Sequence, residues 1–136
     1  MLWPSYTWRM PPGERNLYLT FDDGPHPVAT PFVLDLLQQY NAKASFFCIG
    51  KNVRQYPALY QRILDEGHAV GNHTAQHVNG WKTDDEKYIA DVQEAATVIS
   101  SKLFRPPYGR IRQSQARKLP GYKIIMWDVL SADFDT

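Results

Sequence analysis

The chain has 136 residues, 15.7 kDa, with 15 Lys and Arg against 14 Asp and Glu, a formal charge of +1. That length accommodates one domain at most, and 43% hydrophobic residues against 21% charged is globular composition, which excludes a disordered chain. The basic residues are scattered, so nothing resembles a nucleic-acid surface or a polybasic membrane patch.

Residues 1–16 have neither a basic start nor an apolar core, so no signal peptide is read there. Taken as written, the sequence is expected to be cytoplasmic, and exported or attached to the cell envelope if the amino terminus is incomplete. No apolar run approaches the length of a membrane span. Cys48 has no internal disulfide partner and reads as a buried small hydrophobe within Phe46-Phe47-Cys48-Ile49. The first predicted strand, 16–21, is closed by Asp22-Asp23-Gly24-Pro25. A helix over 31–40 follows, with Phe32, Val33, Leu36, Leu37 and Tyr40 on one face.

A second strand is predicted at 44–49. Val53, Leu59, Tyr60, Ile63 and Leu64 then suggest a helix stopped by Gly67. A short strand at 68–71 enters a polar loop. Thr83 and Glu86 read as a capping box for a long helix directing Ile89, Val92, Ala96, Ile99 and Leu103 one way. Phe104 marks a fourth strand, 112–119 a brief helix and 123–129 a fifth strand. This alternation predicts parallel βαβ units, an α/β sheet or part of a (β/α) barrel. The fifth strand is expected to leave an unpaired edge. Trp3, Tyr6 and Trp8 are expected to pack across the barrel bottom.

In such folds the chemistry gathers at the carboxyl ends of strands. Asp22 and Asp23, His73 and His77, residues 105–109, and Asp128 and Asp133 all fall at such ends. The four-residue spacing of His73 and His77 suits one helical turn, with both imidazoles on one side. By itself it is a weak signal. Two His and one carboxylate from the Asp22-Asp23 turn form a set that leaves positions open for water and substrate, which favours a metal site. Neighbouring side chains of an extended segment point apart, so one aspartate is expected to bind and the other to face the reacting water. His26 reads as an ordinary loop histidine.

The ordered stretches Thr20-Phe21-Asp22-Asp23-Gly24-Pro25, His73-Thr74-Ala75-Gln76-His77 and Arg105-Pro106-Pro107-Tyr108-Gly109 resemble the motifs of NodB-type polysaccharide deacetylases, carbohydrate esterase family 4, from about residue 16 to 135. The resemblance implies a distorted (β/α) barrel, with about five of the usual seven or eight strands readable here. It implies metal-dependent removal of an acetyl group from an amino-sugar glycan such as chitin oligomers or peptidoglycan. By position, Asp23, His73 and His77 would hold one divalent ion, zinc first, with cobalt or manganese sharing such ligands. Asp22 would be the general base and Arg105 its ion-pair partner. The Tyr108 backbone N–H would serve the oxyanion, with Pro107 beside it in the substrate site, and Asp133 would orient a histidine acid.

Two departures stand out. The fourth motif, usually D-x-x-D-W, reads Leu130-Ser131-Ala132-Asp133-Phe134, and Asp128 takes no assigned role. The fifth motif, a late strand followed by His, would fall beyond Thr136. The sequence is therefore read as a single NodB-like domain lacking its last strand or strands, a piece of a longer deacetylase with low activity and surviving metal binding. Trp81 and Tyr108, in loops after strands, are candidate sugar-stacking rings. Competing readings are a hydrolase of a non-sugar amide, an iron oxygenase and a non-catalytic glycan-binding module. Oligomeric state is unreadable from the sequence.

Overall fold

A computed structural model describes residues 6–7 and 18–127. It contains a six-stranded parallel sheet: β1 (Tyr6–Thr7), β2 (Leu19–Asp22), β3 (Ala44–Cys48), β4 (Ala69–Asn72), β5 (Leu103–Phe104) and β6 (Lys123–Ile125), in the spatial order 1-6-5-4-3-2. The helices are α1 (Ala29–Gln39), α2 (Gly50–Gln55), α3 (Pro57–Asp65), α4 (Asp85–Ala96) and α5 (Gln113–Arg117). The expected α/β class and parallel pairing are present. Asp128, the stretch 130–134 with Asp133, Trp3 and Trp8 lie outside the described residues.

Strand alternation sorts the side chains. In β3, Ala44, Phe46 and Cys48 join Leu34, Val53 and Ile63 in the core beneath the helices. Phe47 points to the opposite face, where it lies 4.2 Å from the Arg105 guanidinium. Both faces are covered, which explains the unbroken apolar run. In β2, Phe21 pairs in register with Phe46 and stacks on it, ring centroids 5.3 Å apart. Thr20 and Asp22, one residue to either side, therefore face the way Phe47 does.

Arg105, at the end of β5, reveals the sheet's curvature. Its guanidinium donates to Asp22 Oδ1 (2.8 Å) at the end of β2 and to the Ile125 carbonyl (3.2 Å) at the end of β6. In a flat sheet β2 and β6, four positions apart in the strand order, would be about 19 Å from one another. One guanidinium reaches both, so the sheet curls into part of a barrel wall.

Several expectations need correction. β6 is not left with an open edge, because Tyr6 pairs with Ile124 and Thr7 with Ile125. Tyr6 is thus a strand residue and not part of a bottom plug. The single helix expected around residues 53–64 is two, broken at Tyr56 before Pro57, where an α conformation is disfavoured. The helix after the polar loop begins one residue later than expected, since Asp84 and not Thr83 caps it, accepting from Lys87 N–H at 2.9 Å. Thr83 instead donates its hydroxyl to the Asn79 carbonyl. That helix ends at Ala96, and Tyr88, Val92 and Ala95 form its buried face while Ala96 is exposed. Among the described residues, no helix is long and apolar enough to cross a membrane.

Candidate active site

Thr20 and Asp22 share the inner face of β2, and Arg105 Nη1 donates to both, at 2.9 and 2.8 Å. Arg105 is only 2% exposed. Its Nη2 donates to the Met126 carbonyl at 3.3 Å, and Trp127 lies 5.2 Å from the guanidinium. A cation this deep requires a partner, and Asp22 is it. The bond fixes the direction of the Asp22 carboxylate and leaves its second oxygen for other work.

Had β2 continued, Asp23 would have pointed to the helix side. Its φ of 71° breaks the extended path and turns it back, held by its own N–H on the Phe47 carbonyl (3.1 Å) and by Asn52 Nδ2 on its carbonyl (2.8 Å). The two adjacent aspartates thus point apart, Asp22 toward Arg105 and Asp23 toward the histidines. The means is a left-handed residue, whereas the sequence argument assumed plain strand alternation.

His73 and His77 do not lie on a helical turn. They bracket an irregular loop in which Thr74 (φ 62°) and His77 (φ 56°) are left-handed. The imidazoles converge nonetheless, with Nε2 of His73 and His77 at 3.2 and 3.1 Å from the same Asp23 oxygen. The loop is clamped from several sides. The Asn72 side chain accepts from Thr74 N–H (2.8 Å) and donates to the Val92 carbonyl (3.0 Å). Asp91, midway along α4, accepts from Ala75 N–H (2.8 Å) and Gln76 N–H (2.9 Å). The first N–H groups of α2, at Gly50 and Lys51, donate to the Thr74 and Ala75 carbonyls. Asn52, Asn72 and Asp91 were not singled out in the sequence, and no spacing in it points to them.

The three donors suit a divalent cation. His73 Nδ1 lies 2.6 Å from the Arg105 carbonyl. A carbonyl only accepts, so Nδ1 carries a proton, and Nε2 is the ring nitrogen turned toward the Asp23 carboxylate. The ligand atoms of Asp23, His73 and His77 all lie within 4.8 Å of one another. His73 and then His77 hold the Asp23 carboxyl well below the usual carboxylate range, burial opposing them, so it is an anion at neutral pH.

The turn Pro107–Gly109 closes one side. Buried Pro107 begins it, Tyr108 is left-handed (φ 62°), and the Tyr108 ring sits 4.7 Å from that of His77 while remaining largely exposed. Gly109 (φ 66°) is required twice over, because a Cβ there would also fall 2.7 Å from the Trp127 ring. The Tyr108 N–H has no acceptor among the described residues.

The remaining histidines are structural. His26 Nδ1 accepts from the N–H groups of Val28 and Ala29 at the start of α1. Buried His68 accepts from Ala44 N–H where β3 begins. Cys48 is fully buried, as expected.

The family model described as Polysaccharide deacetylase matches residues 9–124. A peptidoglycan-N-acetylglucosamine deacetylase of Bacillus cereus is 42% identical over 128 residues, covering 89% of this chain and 60% of that protein. A chitooligosaccharide deacetylase of Bradyrhizobium sp. (strain ANU 289) is 41% identical over 104 residues, covering 71% of this chain and 48% of its own length. Among solved structures, the Bc1960 peptidoglycan N-acetylglucosamine deacetylase in complex with 4-naphthalen-1-yl-N-oxidanyl-benzamide superposes with a TM-score of 0.87 at 35% identity, covering 90% of this chain and 61% of that one. The chain thus spans between about half and 61% of the length of these relatives. On the extent of these matches, and on a curled parallel sheet carrying the three expected motifs at one end, the chain belongs to the polysaccharide deacetylase family.

Proposed function

We propose that this chain carries the hydrolytic centre of an amino-sugar deacetylase, which removes the acetyl group from an N-acetylated glycan of the peptidoglycan or chitin-oligomer type. The single observation that supports this most is the convergence of Asp23, His73 and His77 directly beside a second carboxylate, Asp22, which Arg105 holds in a fixed direction. A metal site alone would not need Asp22. A hydrolase does, because attacking water must lose a proton.

Asp23, His73 and His77 would hold the cation, which when bound supplies Lewis acidity toward the attacking water and the acyl carbonyl. Asp22 takes the proton of that water, and a base so placed contributes about 10²- to 10⁴-fold. Arg105 keeps the carboxylate aimed. The exposed turn at Tyr108 offers its backbone N–H to the oxygen that becomes negative, the type of donor that matters most as charge develops. Pro107 fixes the start of that turn. The Tyr108 ring lies over His77 and forms one wall of the substrate site. Asp133 remains the proposed partner of a proton-donating group.

The test is acetate release from N-acetylglucosamine oligomers and from peptidoglycan, after chelation and after return of zinc, cobalt or manganese. Release is expected to require the metal. Asp22→Asn is expected to abolish turnover while keeping metal affinity, and His77→Ala to lose the metal. Full turnover by Asp22→Asn, or metal-independent release, overturns the reading. Small acyl amides in the same assay separate a glycan deacetylase from a hydrolase of non-sugar amides.

A further inference from the structure

Residues 79–83, immediately after His77, form a loop whose backbone is fixed from every side. Asn79 Oδ1 accepts from Trp81 N–H (2.9 Å), and Thr83 donates to the Asn79 carbonyl (2.7 Å). Fully buried Gln115 donates through Nε2 to the Gly80 and Thr83 carbonyls, and Arg112 Nη2 donates to the Trp81 carbonyl (2.7 Å). Gly80 N–H donates to the Arg110 carbonyl at 3.1 Å. That approach demands glycine, because a Cβ would stand 2.4 Å from the same carbonyl oxygen.

All this order holds in place a side chain that the fold does not use. Trp81 is 58% exposed, and the Arg110 guanidinium lies over its indole, 4.9 Å from the ring. The other arginines with described contacts differ from Arg110. Arg54 pairs with Glu94, Arg62 with Asp35 and Glu66, Arg105 with Asp22 and Arg112 with Asp85. Arg110 has no carboxylate partner among the described residues. The acids nearest Trp81 in sequence are committed: Asp84 caps α4 and pairs with Lys87, and Asp85 lies between Arg112 and Lys118.

The pair is also close to the reacting centre. Arg110 is two residues from Tyr108, at most about 7 Å along the backbone, and Trp81 is four from His77, at most about 14 Å. We propose that Trp81 and Arg110 form a neighbouring sugar subsite that selects a carboxylate-bearing glycan, such as strands of alternating N-acetylglucosamine and N-acetylmuramic acid, over neutral chitin oligomers. The indole offers a flat amphipathic face to the apolar side of a pyranose. The guanidinium, held against that ring, presents a planar fork to a carboxylate. Because the loop is already ordered, little freedom is lost on binding. The inference rests on the proposed glycan deacetylase reading and names its substrate class.

The experiment measures binding without turnover, by calorimetry on the zinc-loaded Asp22→Asn chain. The probes are an N-acetylglucosamine tetramer and a tetrasaccharide of alternating N-acetylglucosamine and N-acetylmuramic acid. Arg110→Gln is expected to weaken the acidic glycan roughly tenfold and to remove its salt dependence, while leaving the neutral one unchanged. Arg110→Lys should restore part of the preference, and Trp81→Ala should weaken both roughly tenfold. Equal affinity of Arg110→Gln and its parent for the acidic glycan overturns the subsite, as does equal loss toward both glycans. Acetate release by the unmutated chain is scored separately. Charge-selective binding without release defeats the deacetylase reading and leaves the subsite, and release without charge selectivity does the reverse.

Discussion

Replacing Asp91 by alanine tests whether the metal-binding loop is built from outside itself. The carboxylate takes two backbone N–H groups, from Ala75 at 2.8 Å and Gln76 at 2.9 Å. Ala75 is fully buried, so its N–H would lose its partner with no water to replace it, at about 1–3 kcal/mol. Gln76 is exposed and its N–H can turn to solvent, adding little. Alanine is the better helix former, returning up to about 0.7 kcal/mol in the middle of α4. The net expectation is a loss of about 1–2 kcal/mol in urea unfolding of the metal-free chain. His73 and His77 stand at the two ends of the clamped segment, so zinc affinity, measured by competition with a chromophoric chelator, is expected to fall about 10- to 100-fold. Asp91→Asn keeps an acceptor oxygen and should recover most of that affinity. A stability loss with zinc affinity within twofold of the parent would refute the positioning role. A variant as stable as the parent would refute the hydrogen-bond argument itself.

Three further outcomes follow from groups described above. Arg105→Lys keeps the charge and loses the fork that joins Thr20, Asp22 and the carbonyls of Ile125 and Met126, so urea unfolding should show a loss of about 1.5–3 kcal/mol; an unchanged midpoint would contradict the bridge. The Cys48 thiol is pushed up to about 12, by burial first and the Asp22 charge second. It should therefore resist a thiol reagent at pH 8 until the chain unfolds, and rapid labelling of the native protein would count against its burial. His68 has its pKa lowered, by burial first and Lys43 second, with Glu66 opposing. The unfolded chain then binds the proton more readily, so this contribution is complete above the unfolded value of about 6.5 and is lost as pH falls through the folded value. Protonation of Nδ1 would also break its acceptance from Ala44 N–H. His68→Gln should flatten that part of the stability profile, and an unaltered slope would remove His68 as its source.

The sequence was most legible where local rules dominate. The alternation of strands and helices, the burial of Cys48 and the left-handed Gly67 after α3 were all readable from apolar runs and glycine chemistry. The gathering of Asp22, Asp23, His73, His77 and Arg105 followed from their places after strands. The errors arose where one signal admits two geometries. A four-residue histidine spacing fits a helical turn, yet it is met here by a loop with left-handed residues at Thr74 and His77. Thr83 and Asp84 both suit a helix cap, and Thr83 is drawn instead to the Asn79 carbonyl. Asp91 and Gln115 act through backbone groups 15 to 35 residues away. Such bonds leave no periodic trace, because only the folded chain brings donor and acceptor together. Tyr6 and Thr7 make too short a strand for any pattern to reveal.

One consequence follows from the way Arg105 reaches across the barrel wall. The aspartate proposed to take the proton is aimed by a side chain that also leans on carbonyls of residues 125 and 126. Loosening the far end of the sheet would thus be felt at once at the reaction centre, without any ligand having moved. Hydrogen exchange at the amides around Ile125 should therefore rise as the pocket's competence falls, a mechanical tie between rim and reactor that neither strand carries alone.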